Sequence, residues 1–324
     1  MRLEIQLACP APAGSTQGNR VTALRWARLL RELGHRVRIA QELEGEPDLL
    51  VALHARRSAR AASAFKKRWP DKPLVVALTG TDLYKDLPAG SRIAHRSLEL
   101  ADRLIVLHER AKQDLPRELR RKTRVLHQSV VLPKNLPRPK PGSFDVCVLS
   151  HLRSVKDPLR AALASRRLSA ESRLRIRHLG RPLEKRLTQR AHAEMERNPR
   201  YRWLGERPHA AALRVLASCK LLVVSSKMEG GANVIGEAAR LGVGILASDV
   251  PGNRGLLGGR HPGYFEYGDT AALTRLFARA ETEPAFLARL RAASKQLAPR
   301  FSVANENRGW RELCSELRRG RAHG

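Results

Sequence analysis

Short apolar runs, each trailed by a helix-like segment, recur along nearly the whole chain, and no other feature constrains the fold as tightly. "LEIQLA", "RVRIA", "DLLVAL", "PLVVAL" and "RLIVL" read as strands in the first third. Between the first two lies "NRVTALRWARLLRELG", where Val21, Leu24, Leu30 and Leu33 fall near helical spacing and Gly34 supplies a stop signal. "SARAASAFKKRW" is a second helical segment. Strand and helix patterns in alternation imply a parallel, doubly wound sheet.

The pattern breaks at "LPKNLPRPKPG", between Leu132 and Gly142, where four prolines mark an interdomain linker. Then it restarts. "FDVCVLSHL", "RLRIRHLG", "KLLVVSS" and "VGILAS" read as strands; "DPLRAALASRRL", "LEKRLTQRAHAEMER", "HAAALRVLASC" and "ANVIGEAARLG" read as helices. From Asp269 to Arg319 the tail is mostly helical, and no repeat of fixed period occurs. A chain of 324 residues is comfortable for two such domains. The expected architecture is α/β, with two doubly wound, Rossmann-like domains and a cleft between them. Residues 1–137 form the first, 138–300 the second, and 301–324 a C-terminal helix that in folds of this kind can cross back to the first. Ligands of open parallel sheets sit at the carboxyl ends of the strands.

Composition narrows the function classes. A hydrophobic fraction of 42% suffices for folded cores. No run approaches the roughly 18 apolar residues of a membrane helix, and "MRLEIQLACPAPAG" lacks the apolar centre of a secretory signal. Cys9, Cys147, Cys219 and Cys314 lie far apart, so neither a disulfide framework nor a zinc site is expected, and a cytoplasmic location fits. The net charge of +30 admits two readings, a polyanionic partner or an arginine-biased composition. The basic residues are 48 arginines and 13 lysines, scattered over nearly every helix. The densest runs, "RELRRKTR" (Arg117–Arg124) and "RPKPG" (Arg138–Gly142), look like a solvated face and a linker, without the aromatic ladder of a single-strand binder. The composition reading is preferred and no nucleic-acid partner is expected, although such a field still favours anionic substrates.

One stretch carries chemistry: "SSKMEGGANVIGEAARLG", Ser225 to Gly242. Gly230 and Gly231 remove side chains where a backbone must turn sharply or approach a ligand. A helix then starts near Ala232 or Asn233, and its amino end is an anion site suited to a diphosphate. Glu229 sits just outside that end. Glu237 sits a turn inside, among Val234, Ile235, Ala238 and Ala239, where an unpaired carboxylate would be costly. It needs donors, and a sugar diol supplies two. The competing reading makes Glu229 a helix-end charge and Glu237 a solvated one.

"EGGANVIGEA" with "LGVGILASDVPGNRGLL" resembles the signature of the GT-B-fold glycosyltransferases that carry paired glutamates. "WLGERPHAAALRVLASCKLLVVSS" and "ADRLIVLHERAKQDL" extend the resemblance over nearly the whole chain. It implies a nucleotide-sugar donor held by the second domain. Glu229 would touch the donor sugar and Glu237 the ribose diol, while Gly230, Gly231, Ala232, Asn233 and Val234 would meet the diphosphate. The leaving group needs a metal or fixed cations. No D-x-D pair is present, so neither metal nor cofactor is expected. The family uses a basic pair after the first strand of the second domain, here "LSHLRSVKDPLR". Lys156 matches its lysine; His151 stands at the arginine position, and Arg153 is the candidate substitute.

On the acceptor side, "PAPAGSTQGNRVTALRW" resembles the family's first cleft-facing loop, with Gly18, Asn19 and Arg20 opening a helix. In "ALTGTDLY", Gly80, Thr81 and Asp82 match the family, but Thr79 replaces a histidine most relatives carry. His54 ends the strand of "VALHARRS" near the same mouth. Together these departures resemble the selenosugar synthases of selenoneine biosynthesis. That likeness implies transfer of N-acetylglucosamine from UDP-N-acetylglucosamine to selenophosphate through selenium, with functional association with other enzymes of that pathway. A strongly nucleophilic anion tolerates the loss of a general base. Nothing in the composition names selenium. Three alternatives stand beside it: the same fold with a sugar, thiol or lipid-linked acceptor; a nucleotide-sugar epimerase or hydrolase; and a basic nucleic-acid-binding protein on a degenerate transferase fold.

Overall fold

Every strand pairing is parallel in the computed structural model, which describes residues 2–15 and 17–319. The chain forms two compact units. One comprises the chain up to Gln128 together with the helix Val303–Arg319; the other is Ser129–Ser302. The first holds strands β1 (Glu4–Ala8), β2 (Arg36–Ala40), β3 (Leu49–Leu53), β4 (Leu74–Ala77), β5 (Arg103–Val106) and β6 (Thr123–Val125), in the order β2-β1-β3-β4-β5-β6. The second holds β7 (Phe144–Leu149), β8 (Leu174–Leu179), β9 (Tyr201–Trp203), β10 (Leu221–Val224), β11 (Gly244–Ser248) and β12 (Tyr264–Phe265), in the order β12-β11-β10-β7-β8-β9. Their central strands are buried throughout, as strands covered by helices on both faces must be. Two α/β sheets of Rossmann type thus match the alternation in the sequence.

The helix Gly18–Glu32 forms where expected, and only part of its apolar spacing faces inward. Thr22, Ala23, Trp26, Ala27, Leu29 and Leu30 are buried, whereas Val21 and Leu24 are 42% and 51% exposed. Trp26 decides the rotation: it is fully buried, and its indole meets the Trp310 ring edge-on at 5.1 Å. Its Nε1–H donates to Glu306 Oε1 at 2.8 Å. Glu306 is itself fully buried, with Arg25 Nε 3.9 Å away. The tail helix Val303–Arg319 therefore completes the first unit's core through Trp310, Leu313, Cys314 and Leu317.

The run Arg117–Arg124 is not merely a solvated face. It holds the short helix Arg117–Arg120 and enters β6, where Thr123 is fully buried and Arg124 meets Glu316 at 2.9 Å. The passage into the second unit falls ahead of the proline-rich stretch. Gln128 Nε2 still donates to Thr22 Oγ1 at 2.8 Å, but the Val130 amide donates to the Phe301 carbonyl at 3.0 Å. Val130 and Leu132 pack into the second unit's core, so apolar burial places the boundary at 128–129 rather than at 137. The return passage follows Ser302, because Phe301 lies against Gly236: a methyl there would come within 2.8 Å of its ring.

Replacing Glu306 by Ala leaves the buried Trp26 indole N–H without its acceptor and should lower unfolding stability by about 2 kcal/mol. Denaturant unfolding checks this; an unmoved midpoint would show that the bond contributes nothing.

Candidate functional site

In an open parallel sheet, the crevice forms where strand order reverses. In the second unit β7 is paired on one side with β8 and on the other with β10. The loops leaving β7 and β10 meet there. The Lys227 amide donates to the Val155 carbonyl at 2.8 Å, and Ser225 Oγ to the carbonyls of Asp157 at 2.8 Å and Lys156 at 3.3 Å. This stitching brings Lys156 Nζ to 2.7 and 2.8 Å from the two oxygens of Glu229. Lys156 ends a 3₁₀ turn, Ser154–Lys156, and the regular helix begins only at Arg160. Asp157, at φ +43°, makes the bend between them.

Glu229 is 7% exposed and held from several directions. Ser226 Oγ donates to its Oε1 at 2.5 Å. Ser248 Oγ, at the end of β11, donates to the Ser226 carbonyl at 2.6 Å, and Asn253 Nδ2 donates to the Ser248 carbonyl and hydroxyl. The Gly252 backbone presses on Glu229 itself: a methyl at 252 would stand 1.9 Å from the Glu229 carbonyl oxygen.

Gly230 and Gly231 lead into the helix Asn233–Leu241, whose N-cap is Ala232 in extended conformation. The Ile235 amide closes the first turn onto the Ala232 carbonyl at 2.9 Å, and Ala232 has no side-chain group to cap this end. Gly242, at φ +65°, closes the other end. Ala232 is buried, and Asn233 and Val234 are half-buried at the amino end. Glu237 is 7% exposed, and the donor it meets is His209 Nε2, 2.8 Å from its Oε1.

The other two candidates of this loop stand apart from the pair. His151 Nδ1 accepts the Arg181 amide at 3.1 Å, so a neutral ring carries its proton on Nε2. Burial pushes its pKa down, with Lys156, Arg181 and Arg153 adding to the effect against Glu206. His151 is thus no standing cation in place of arginine. Arg153 is exposed and lends its charge to Glu184 and His151. Beneath them His178 fixes the end of β7: its Nε2–H donates to the Ser150 carbonyl at 2.9 Å, and its Nδ1 accepts the Tyr201 hydroxyl at 2.8 Å.

In the first unit the strand order reverses between β1 and β3. Ser58 Oγ lies 3.2 Å from the Ala8 carbonyl and 2.7 Å from that of Leu53, tying the two strand ends together. His54 follows β3 in left-handed conformation, φ +81°, and is 1% exposed. Its Nδ1 accepts the Arg57 amide at 3.3 Å, so its Nε2–H donates to the exposed Thr81 hydroxyl at 2.8 Å. Burial lowers its pKa despite Asp82 and Asp86 nearby. Asp82, fully buried, accepts the amides of Ala55, Thr79, Gly80 and Leu83 at 2.8–3.1 Å. His54, Thr79, Gly80 and Thr81 are therefore one cluster organised by Asp82. Gly18, Asn19 and Arg20 open the helix after β1, where the Arg20 guanidinium lies against the Cys9 thiol. Arg20 Nε is buried without a hydrogen-bond partner among the described residues.

His209, Ser226, Ser248 and Asn253 escape the sequence reading. His209 opens what reads as an ordinary helix, 28 residues before the glutamate it meets, and the serines look like common strand ends. Asp82 was visible as part of "TGTD", but not as the carboxylate gathering four amides. Among the described residues no cluster of three His, Cys, Asp or Glu is placed to hold a metal ion, and no helix is long and apolar enough to cross a membrane.

Residues 132–297, just over half the chain, match the family model described as "Glycosyl transferases group 1". No curated protein matches the chain significantly by sequence. Among solved structures, Anabaena HepE in complex with UDP and glucose superimposes with a TM-score of 0.75 at 17% identity, covering 97% of this chain and 100% of that one. HepE with UDP-glucose gives the same four values. Sucrose-phosphate synthase from Thermosynechococcus elongatus gives a TM-score of 0.78 at 16% identity, covering 98% and 100%. At such identities the likeness is one of fold, and that fold is GT-B.

His178 makes a pH prediction. Burial, with His151 adding to it against the pull of the Ser150 carbonyl, pushes its pKa to about 4. Unfolded, it titrates near 6.5. Between those values the unfolded chain binds the extra proton, so the contribution of His178 is complete above about pH 6.5 and is lost as the pH falls toward 4. That loss is on the order of 3 kcal/mol. Urea unfolding of wild type and His178→Gln at pH 7 and 4.5 checks it. The variant should be less stable at pH 7 and lose less on acidification; parallel losses would contradict the assignment.

Proposed function

The chain belongs to the glycosyl transferases group 1 family, and from that premise we propose that it transfers a sugar from a UDP-sugar to an anionic acceptor. The observation that carries this reading is the Lys156–Glu229 pair at the second unit's strand reversal, beside the amino end of the helix Asn233–Leu241. The donor diphosphate would take the first-turn amides of Asn233 and Val234, where the helix dipole favours negative charge. Glu229, fixed by Ser226 and Gly252, would accept hydroxyls of the transferred sugar. Glu237 would accept the ribose diol. The nucleotide sugar seen with HepE, on the same fold, supports this choice of donor.

As the bond from the anomeric carbon to the diphosphate breaks, its electron pair leaves with UDP, and the nucleophile's pair forms the new bond. No oxidant is needed. Lys156 supplies the positive charge that meets the growing charge on the leaving oxygens, which supports a reaction without a metal. His151 and Arg153 lie on the same loop; of the two, Arg153 is the standing cation.

Selenophosphate is the acceptor we propose, and N-acetylglucosamine the sugar, so that a C–Se bond forms. Two features of the first unit support an anionic acceptor. Arg20 has a buried Nε–H that such an anion would satisfy. The Thr81 hydroxyl accepts from His54 and so has its own proton to donate outward. Thr79 and the Gly80 backbone frame the same cluster. Both ring nitrogens of His54 are engaged, Nδ1 by the Arg57 amide and Nε2–H by Thr81, so it offers no free lone pair as a general base, and a selenium nucleophile needs little proton transfer. The product would pass to other enzymes of selenoneine biosynthesis.

Incubation with UDP-N-acetylglucosamine and selenophosphate, followed by mass spectrometry, should show UDP and a selenium-containing sugar phosphate. Consumption of donor only with a different acceptor would overturn the acceptor, and no consumption with any acceptor would overturn the activity. Lys156→Ala should lower kcat by roughly 10²–10³-fold with a smaller change in donor KM. Gly252→Ala, which displaces Glu229 without touching its carboxylate, should lower kcat while the far-ultraviolet circular dichroism stays unchanged; full turnover would show that the Glu229 backbone need not be held there.

A further inference from the structure

We propose that His209 is the positioning residue of the ribose site, turning the Glu237 carboxylate so that it reads the 2′- and 3′-hydroxyls of the donor together. The proposal rests on the nucleotide-sugar reading above. Glu237 is buried on the helix Asn233–Leu241 among Val234, Ile235, Ala238 and Ala239. Those neighbours offer no side-chain donor, so they leave the carboxylate's rotation unset. His209 comes from a different helix, His209–Ala217, directly after Pro208, whose ring holds the backbone at φ −52°. Its Nε2 lies 2.8 Å from Glu237 Oε1. A carboxylate can only accept, so Nε2 carries a hydrogen whether the imidazole is neutral or charged.

This bond takes one of the roughly four acceptor directions of the carboxylate. Oε2 and the second lone pair of Oε1 remain for a diol, whose two hydroxyls must both donate. The His209 side chain is 66% exposed, so it contributes little to any core, and its Nε2 is held by the buried carboxylate. A donor fixed to Oε1 decides which way the remaining lone pairs face, and hence whether two adjacent hydroxyls or only one can be met. Discrimination between a ribose and a 2′-deoxyribose then depends on His209 although His209 need not touch the sugar.

Calorimetric titration of the full chain with UDP and with 2′-deoxy-UDP tests this. The wild type should prefer UDP, and His209→Ala should reduce that preference by about tenfold, the scale of one hydrogen bond to a charged group. Glu237→Gln should also reduce it, and adding His209→Ala to Glu237→Gln should cost little more. If His209→Ala does not fold, His209→Phe, which keeps the ring and removes the donor, carries the same expectation. If the His209 variants weaken both ligands equally, or retain a preference that Glu237→Gln abolishes, His209 does not position the carboxylate and the proposal falls while the ribose reading stands. If Glu237→Gln keeps the preference, or the wild type binds no UDP, the ribose reading falls and the proposal with it.

Discussion

A carboxylate at the mouth of a parallel sheet can be buried only where cations and hydroxyls meet it, and Glu229 imposes that condition on three loops at once. The loop after β7 supplies Lys156, the loop after β10 supplies Ser226, and at the end of β11 Ser248 and Asn253 hold Ser226 in turn while Gly252 abuts the Glu229 backbone. None of these loops could shift alone without leaving a polar group unsatisfied. The second unit's reversal point is thus tied together by internal charge and hydroxyls. Such fixed charge needs no reorganisation when a leaving group develops its own.

The first unit solves a similar problem with a different group. Asp82 gathers four backbone amides, so the turn after β4 is shaped by one fully buried side chain. Histidines complete the arrangement in both units, and they do so uncharged. His178 bridges Ser150 and Tyr201; His108, held near pKa 4 chiefly by burial, accepts the Ala111 amide and lies 3.3 Å from the Tyr84 hydroxyl. A neutral imidazole both donates and accepts, which suits it to joining a carbonyl or hydroxyl on one side to an N–H or hydroxyl on the other. In a chain of net charge +30, neutral ring donors let strand ends be tied together without adding further positive charge.

The alternation of strands and helices was legible because it follows from period and punctuation, and the family signature made the Glu229–Glu237 block legible as well. Lys156 could be named from its loop, but its partner could not: the pairing with Glu229 spans 73 residues and depends on which strands neighbour β7. The inward face of the first helix is not set by its own sequence for a related reason. Val21 and Leu24 are as apolar as Leu29 and Leu30, and only the tail helix, with Trp310 set against Trp26, selects one stripe over the other. The Lys156 loop hid its shape too, since nothing in its letters marks the 3₁₀ turn Ser154–Lys156 or the left-handed Asp157 that follows it. The sugar and the acceptor lie further from the letters still, because a pocket's shape is a property of side chains meeting across strands.

The first unit is built from two pieces of chain, and the bond between Trp26 and Glu306 spans 280 residues. The second unit is continuous. During synthesis, then, all of the second unit leaves the ribosome before the first can finish its core. At roughly 5–20 residues per second that interval lasts on the order of ten seconds or more. Through it, the face of the first helix that carries Trp26 has no Trp310 to cover it. The domain that starts first is the one that closes last, and the unit carrying Lys156 and Glu229 can be complete while its predecessor still waits for its final helix.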